Sequence, residues 1–144
     1  MSVLNAGVYI KSTNALIGSF FEHTTILVVE HNNAGSLGFV TNNPFGKSLH
    51  ELIEFSHAKA FPLMDGGPVD REHLFVLHKR PDLIEGGEQV ANSLYLGGNM
   101  EQVINAINSG AVNNQDIQIF IGYCGWDAGE LEAEIEEGSW TINY

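Results

Sequence analysis

Residues 117–135, with the sequence IQIFIGYCGWDAGELEAEI, hold the strongest local signals in the chain. Isoleucine occupies every second one of the first five positions, which is typical of a strand with one apolar face. Gly122 and Gly125 then permit backbone angles that other residues avoid. Asp127 and Glu130 have the spacing of a helix capping box. The stretch therefore predicts a strand, a tight turn and a helix that begins at Asp127.

Such a corner leaves backbone N–H groups free and brings the positive end of a helix dipole to the edge of a sheet. This geometry can carry an active site, bind an anion or serve as a structural corner. Cys124 lies in the predicted turn, where the pKa of a thiol is lowered. With His31 or His78 as its base, it would be the nucleophile of a hydrolase or transferase. Without such a base, the thiol would pack like an alanine side chain.

The charge of the chain is unevenly distributed along its 144 residues, and the formal net charge is −12. Residues 1–80 hold seven acidic side chains and all six Lys and Arg. Residues 81–144 hold eleven acidic side chains and no Lys, Arg or His. A protein that binds nucleic acid needs clustered cations to replace the counterions of the phosphates. We therefore expect no direct contact with nucleic acid.

The composition is that of a globular domain, since 44% of the residues are hydrophobic. No apolar run approaches the ~20 residues of a membrane span, and the amino terminus does not resemble a secretory signal. The one cysteine excludes a disulfide within the chain and suits a reducing compartment. These observations predict a single cytoplasmic domain over residues 1–144, with no membrane contact.

Two further helices are predicted from apolar residues at helical spacing. The first covers residues 48–57, where Leu49, Leu52 and Ile53 would form a buried stripe. The second begins at Asn99 and ends at a glycine, as helices commonly do. Strands are predicted at residues 6–11, 24–30, 36–41, 72–79 and 91–96, the second and third joined as a hairpin. Paired strands mixed with three helices favour an α+β fold.

The histidines do not form a metal-binding pattern, because none of the six has the close spacing of known ligand motifs. We predict no metal and no cofactor. Four glutamates at positions 132, 134, 136 and 137 make the predicted last helix acidic near its end. Since acidic side chains there oppose the helix dipole, they form either a solvated face or a docking surface for a basic partner.

Several motifs occur together in a recognisable order. They are VVEH at 28–31, GSLGFVTNNP at 35–44, GGPV at 66–69, FVLH at 75–78 and GYCGW at 122–126, followed by Gly129, Leu131, Glu134 and Trp140. Taken together, these motifs resemble the bacterial AlgH/YqgE family over nearly all of residues 7–140. The resemblance implies one α+β domain with a curled, barrel-like, mixed but mainly antiparallel sheet and about three helices packed on it. It implies no established reaction. The family is known instead for a proposed role in transcriptional regulation.

This chain departs from the family pattern at three places. Cys124 stands where the family usually has a small residue such as alanine, and Glu130 stands where it usually has glutamine. The family's usual segment after Trp140 is almost absent. We therefore expect a single AlgH/YqgE-like domain over residues 1–144 that lacks most of that extension.

The predicted function is that of a non-catalytic binding or regulatory domain, which acts through a protein or small-molecule partner without contacting DNA. Binding residues usually lie on loops of a rigid scaffold. The candidates share a place at strand ends beside glycine-containing or polar turns, where backbone donors are left over. They are Glu30, His31, Asn42, Gly66, Gly67, His78, Tyr123 and Trp126. Among them, we expect His31, Gly67, His78 and Trp126 to surround one concavity.

Overall fold

The structure is a computed structural model that describes residues 4–143. Ten strands are formed in this range: β1 (Tyr9–Ser12), β2 (Thr25–Asn32), β3 (Gly35–Val40), β4 (Pro44–Ser48), β5 (Pro62–Asp65), β6 (Val69–His78), β7 (Glu88–Ala91), β8 (Leu94–Leu96), β9 (Ile117–Asp127) and β10 (Trp140–Asn143). The same range holds two α-helices, α1 (Met100–Ser109) and α2 (Glu130–Glu136). Short 3₁₀ turns form at Asn14–Leu16, Leu49–Glu51 and Ile53–Phe55.

β9 is the strand on which the sheet assembles, because it pairs with three others. Its last residues pair antiparallel with β3, from Cys124 opposite Gly38 to Asp127 opposite Gly35. Its other edge pairs antiparallel with β6, and β5 adds the sheet's one parallel pairing within residues 4–143. The main strand order is β10-β1-β2-β3-β9-β6-β8-β7. The predicted hairpin of the second and third strands is confirmed by the antiparallel β2–β3 pair.

The sheet curls into a half-barrel. β2 and β7 contact each other although four strands separate them along the sheet. Their meeting encloses an inner core built around Phe39, Phe120 and Leu77. Phe39 and Phe120 are stacked with their ring centroids 4.7 Å apart. The predicted α+β fold with a curled, mainly antiparallel sheet is therefore confirmed.

The outer face of the sheet carries two separate cores. The first lies beneath α1 and the 3₁₀ turns and includes Ile119 and Ile121; the second lies beneath α2 and includes Cys124 and Trp126. Strict alternation from 119 would turn residues 124 and 126 inward. Gly122 breaks the alternation, because its φ of 73° favours glycine and shifts the strand by one residue. Cys124 and Trp126 therefore face outward, as Ile119 and Ile121 do.

The number of helices differs from the prediction, since residues 4–143 contain two α-helices rather than three. The predicted helix at 48–57 is replaced by two 3₁₀ turns separated by Leu52, whose φ of −84° and ψ of 132° are extended. Glu51 does accept a hydrogen bond from the Ser48 N–H at 2.6 Å. The backbone nevertheless turns away because the Leu49 N–H donates to the Phe61 carbonyl at 2.8 Å, which ties the segment to the start of β5.

The predicted turn at 122–126 is also wrong, because β9 continues through it to Asp127. Asp127 is therefore not the N-cap of α2; Gly129 takes that place, with a φ of 77°. Glu130 still reaches back to accept a hydrogen bond from the Asp127 N–H at 3.0 Å. Pairing with β3 satisfies the backbone groups that a turn would have left free.

The helix predicted from Asn99 is confirmed as α1. The Asn99 side chain accepts from the Gln102 N–H at 3.0 Å, and Gly110 ends the helix with a φ of 77°. The strand predicted at 91–96 is instead a hairpin of β7 and β8 with Ser93 at a φ of 59° between them. No helix within residues 4–143 has the length and apolar content that crossing a membrane would require.

Candidate functional site

The structure does not place His31, Gly67, His78 and Trp126 around one concavity. His78 pairs with Ile117 at one end of β9, whereas Trp126 lies nine residues further along the same strand. At ~3.3 Å per residue this separates them by roughly 30 Å along the strand. Asn42 is also distant from His31, since its side chain accepts a hydrogen bond from the Thr25 N–H at the opposite end of β2, roughly 20 Å away along the strand. The binding role of the eight candidates stays a prediction, and the fold distributes them over several separate places.

His31 and Trp126 do lie near each other on the α2 side of the sheet. Ser36 stands between them in register, opposite His31 in β2 and opposite Trp126 in β9. The Ser36 hydroxyl oxygen is 2.6 Å from His31 Nδ1, and His31 Nε2 is 3.6 Å from a Glu132 carboxylate oxygen. Ser36 is buried and Glu132 is half exposed, so this polar row joins strand to helix and runs from the interior to the surface.

Gly66, Gly67 and Tyr123 meet at a close backbone crossing. The Gly66 N–H donates to the Ile121 carbonyl at 2.8 Å, and the Gly66 carbonyl accepts from the Val40 N–H at 2.9 Å. A Cβ on Gly67, whose φ is 152°, would overlap the Tyr123 carbonyl. The Gly66 N–H, which was expected to be free, is therefore used, and the glycines permit the strands to cross.

His78 and Glu30 have opposite environments. His78 is 1% exposed, stacks on Tyr95 with ring centroids 5.6 Å apart, and accepts from the Arg80 N–H through Nδ1 at 3.1 Å. Burial lowers the pKa of His78, and the Gly97 carbonyl partly offsets this effect. Glu30, by contrast, is exposed opposite Leu37.

Cys124 is a buried strand residue, not a residue at a helix N-terminus. It is 1% exposed, and its Sγ lies 3.5 Å from the Gly66 carbonyl oxygen. Burial, with a smaller contribution from the charge of Asp65, raises the pKa of Cys124 to about 12. His31 Nδ1 is hydrogen-bonded to the Ser36 hydroxyl, and His78 lies at the far end of β9. Neither histidine is therefore arranged as a base for the Cys124 thiol. The pattern that suggested a lowered pKa depended on a turn that does not form.

A different surface has the shape of a binding site. A cleft of about 820 Å³ lies on the outer face between the 3₁₀ turns, β6 and the start of α1. We call it the outer cleft. Its apolar wall consists of Phe45, Leu52, Phe55, Leu74, Val76 and Met100. Its volume is within the usual ~300–1,000 Å³ of a ligand site.

The rim of the outer cleft is charged. The charged and titratable side chains that line it are Lys47, Glu51, Glu54, Arg71, Glu72 and His73. Ile53 forms its lip and is 93% exposed, although the helical pattern predicted it to be buried. None of the eight predicted site residues lines this cleft. Sequence reasoning missed it because its walls come from segments that are distant along the chain.

Comparison with known proteins identifies the family. Residues 9–143 match the AlgH-like family, DUF179. The chain belongs to this family. A UPF0301 protein of Chlorobium luteolum is 42% identical over 137 residues, which are 95% of this chain and 72% of the relative.

Two solved structures have the AlgH-like fold of this chain. The solution structure of the AlgH protein from Pseudomonas aeruginosa has a TM-score of 0.75 and 26% identity, covering 99% of this chain and 80% of that one. A crystal structure of a Corynebacterium diphtheriae protein has a TM-score of 0.76 and 20% identity, with 98% and 76% coverage, and is similar in fold alone. The AlgH-like family is of uncharacterised function.

Proposed function

We propose that this AlgH-like chain is a non-catalytic binding domain whose ligand occupies the outer cleft. The observation that carries the proposal is the cleft itself: about 820 Å³ of space with an apolar wall and a charged rim. Apolar surface favours burial of a ligand, and the few polar groups around it orient what is bound.

The walls of the cleft are anchored to the sheet. The Phe61 N–H donates to the Ser48 hydroxyl at 2.7 Å, and that hydroxyl lies 3.0 Å from the Phe61 carbonyl oxygen. Leu49 at the base of the segment is completely buried. A wall held in this way supports preorganised binding, because little ordering is left for the ligand to induce.

The alternative, a hydrolase or transferase that uses Cys124, has less support. A thiol with a pKa of about 12 is almost entirely protonated near neutral pH, and only the thiolate is a strong nucleophile. Burial also keeps a substrate from the sulfur. The small buried thiol fits the packing role that alanine would fill.

A regulatory role, which the sequence analysis expected, would follow if the ligand were part of a partner that acts on transcription. We propose that this chain itself makes no direct contact with DNA, since its net charge is −12. The cytoplasmic location expected from the single cysteine also stays a prediction.

Amide NMR with indole as the probe tests the cleft. We expect indole to shift the amide signals of Leu74, Leu96 and Gly97, and to leave those of residues 122–126 unchanged. Phe55→Ala, which removes part of the wall, should weaken these shifts. Tyr9→Ala, which alters a 42% exposed aromatic side chain elsewhere, should not. Shifts that concentrate at residues 122–126 or spread evenly over the surface would overturn the proposal.

A further inference from the structure

Most of the basic side chains around the outer cleft already have an acidic partner. Arg71 Nη1 lies 2.5 Å from Asp65 Oδ1, and the same nitrogen donates to the Gly67 carbonyl at 2.8 Å. His73 Nδ1 lies 2.6 Å from Asp70 Oδ1. Two of the three basic side chains on the rim are therefore held by acids just outside it.

The acidic side chains of the rim are less engaged. Within residues 4–143, Glu54 and Glu72 make neither an ion pair nor a side-chain hydrogen bond, and Glu51 accepts only from the Ser48 N–H. Lys47 is the one rim cation that lacks an acidic partner in this part of the chain. The rim and its paired acids thus carry an excess of negative charge, which complements a cationic ligand.

Ile53 indicates how large the ligand is. Its side chain is 93% exposed at the lip, where a small molecule seated within the cleft would leave much of it in water. A partner surface that extends beyond the cleft would bury it, and removing this apolar side chain from water favours binding. Ile53 and the apolar wall of the cleft form one apolar patch with a charged rim, which is typical of a protein interaction site.

We propose that the ligand of the outer cleft is a basic, amphipathic segment of a partner protein. Its apolar side chains enter the cleft and cover Ile53, and its Lys or Arg side chains lie against Glu54 and Glu72. This inference rests on the proposed binding function and adds the chemistry of the partner. The overall charge of −12 also favours a basic partner, because it accelerates the encounter at low salt.

Two synthetic peptides test the proposal. Each has roughly four helical turns with leucine along one face, and the polar face carries lysine in one and glutamate in the other. Binding to the full chain is measured by fluorescence anisotropy at ~50 mM and ~500 mM salt. We expect the lysine peptide to bind at least about tenfold more tightly than the glutamate peptide, and less tightly at high salt.

Matched variants locate the binding surface. Glu54→Lys with Glu72→Lys should weaken binding of the lysine peptide at least about tenfold. Glu136→Lys with Glu137→Lys makes the same change in charge on the exposed end of α2 and should change binding less than about twofold. Ile53→Ser should also weaken binding roughly tenfold, without loss of stability, because the side chain is almost fully exposed.

Four outcomes would overturn this inference. The two peptides could bind equally, or the α2 charge variant could weaken binding as much as the cleft variant. Sedimentation could instead show a dimer that Ile53→Ser converts to a monomer, in which case a second copy of the chain occupies the cleft. If indole still shifts the cleft amides while the lysine peptide fails to bind, the binding site stands and the partner chemistry is wrong.

Discussion

At the scale of single residues, Cys124 shows how strongly burial controls chemistry. Its pKa of about 12 leaves very little thiolate at pH 8. We expect native Cys124 to react with iodoacetamide more than about a hundredfold more slowly than a free cysteine, and at the ordinary rate in urea. Mass spectrometry of the time course measures both. Rapid reaction of the folded protein would show that the thiol is accessible and ionised, and would support Cys124 as a nucleophile.

Glu134 joins both tryptophans of the chain. Its Oε1 accepts from the Trp126 indole N–H at 3.2 Å and from the Trp140 indole N–H at 3.0 Å. Glu134→Ala leaves two indole donors without this acceptor and should lower the free energy of unfolding by about 2–3 kcal/mol. Glu134→Gln keeps one acceptor oxygen and should cost less. Urea unfolding followed by tryptophan fluorescence measures the difference, and equal stability of all three proteins would contradict the assignment.

His78 makes stability depend on pH. Because burial lowers its pKa in the folded state, the unfolded chain binds more protons below the ordinary histidine pKa of ~6.5. Its contribution is complete above that pH and is lost as the pH falls through the folded pKa. His78→Asn, which keeps an acceptor for the Arg80 N–H, should lessen the loss of stability between pH ~7.5 and ~5.5.

The control for this effect is His73, whose pKa the hydrogen bond to Asp70 raises. A raised pKa contributes in the opposite sense, so that stability is gained on acidification. His73→Asn should therefore steepen the loss of stability slightly or leave it unchanged. Urea titrations at each pH measure both variants. An unchanged slope in His78→Asn would show that other groups set the pH dependence.

At the scale of elements, β9 depends on the glycine crossing beside it. Gly67 and Gly18 both have positive φ, but a Cβ would overlap the Tyr123 carbonyl only at Gly67, whereas at Gly18 it would have nothing within 4 Å. Gly18→Ala should cost about 1 kcal/mol from backbone strain, and Gly67→Ala at least about 3 kcal/mol. Thermal unfolding compares them, and equal costs would mean that the crossing relaxes easily.

The two outer cores explain why neighbouring residues of β9 lie in different surroundings. Ile121 and Cys124 face the same side of the sheet only because Gly122 shifts the alternation of β9. The sheet then curls, so that one end of β9 lies beneath α1 and the other beneath α2. Residues that a single strand presents on one face consequently contribute to separate surfaces.

At the scale of the whole molecule, charge governs which partners are accessible. Residues 81–144 carry eleven acidic side chains without a basic one, and we expect no tight binding to duplex DNA. A gel-shift assay at ~50 mM salt should show at most weak affinity with a shallow dependence on salt. Submicromolar, salt-sensitive binding would contradict this prediction and would require a cationic surface.

The sequence by itself determined the elements whose signals are local. Alternating and β-branched residues located β2, β3, β6 and most of β9, and the caps at Asn99 and Gly110 bounded α1 correctly. The order of the motifs also identified the family. These signals need only neighbours along the chain, because side-chain period and capping act over a few residues.

Tertiary structure decided where those elements went and what they exposed. Residues 48–57 have a helical pattern, but a hydrogen bond from Leu49 to Phe61 holds them against β5 and leaves Ile53 in solvent. Pairing with β3 likewise turned the predicted corner at Cys124 into a buried strand. Each outcome depended on residues more than ten positions away, whose pairing fixes burial. The outer cleft therefore exists only once the sheet has curled and brought its distant walls together.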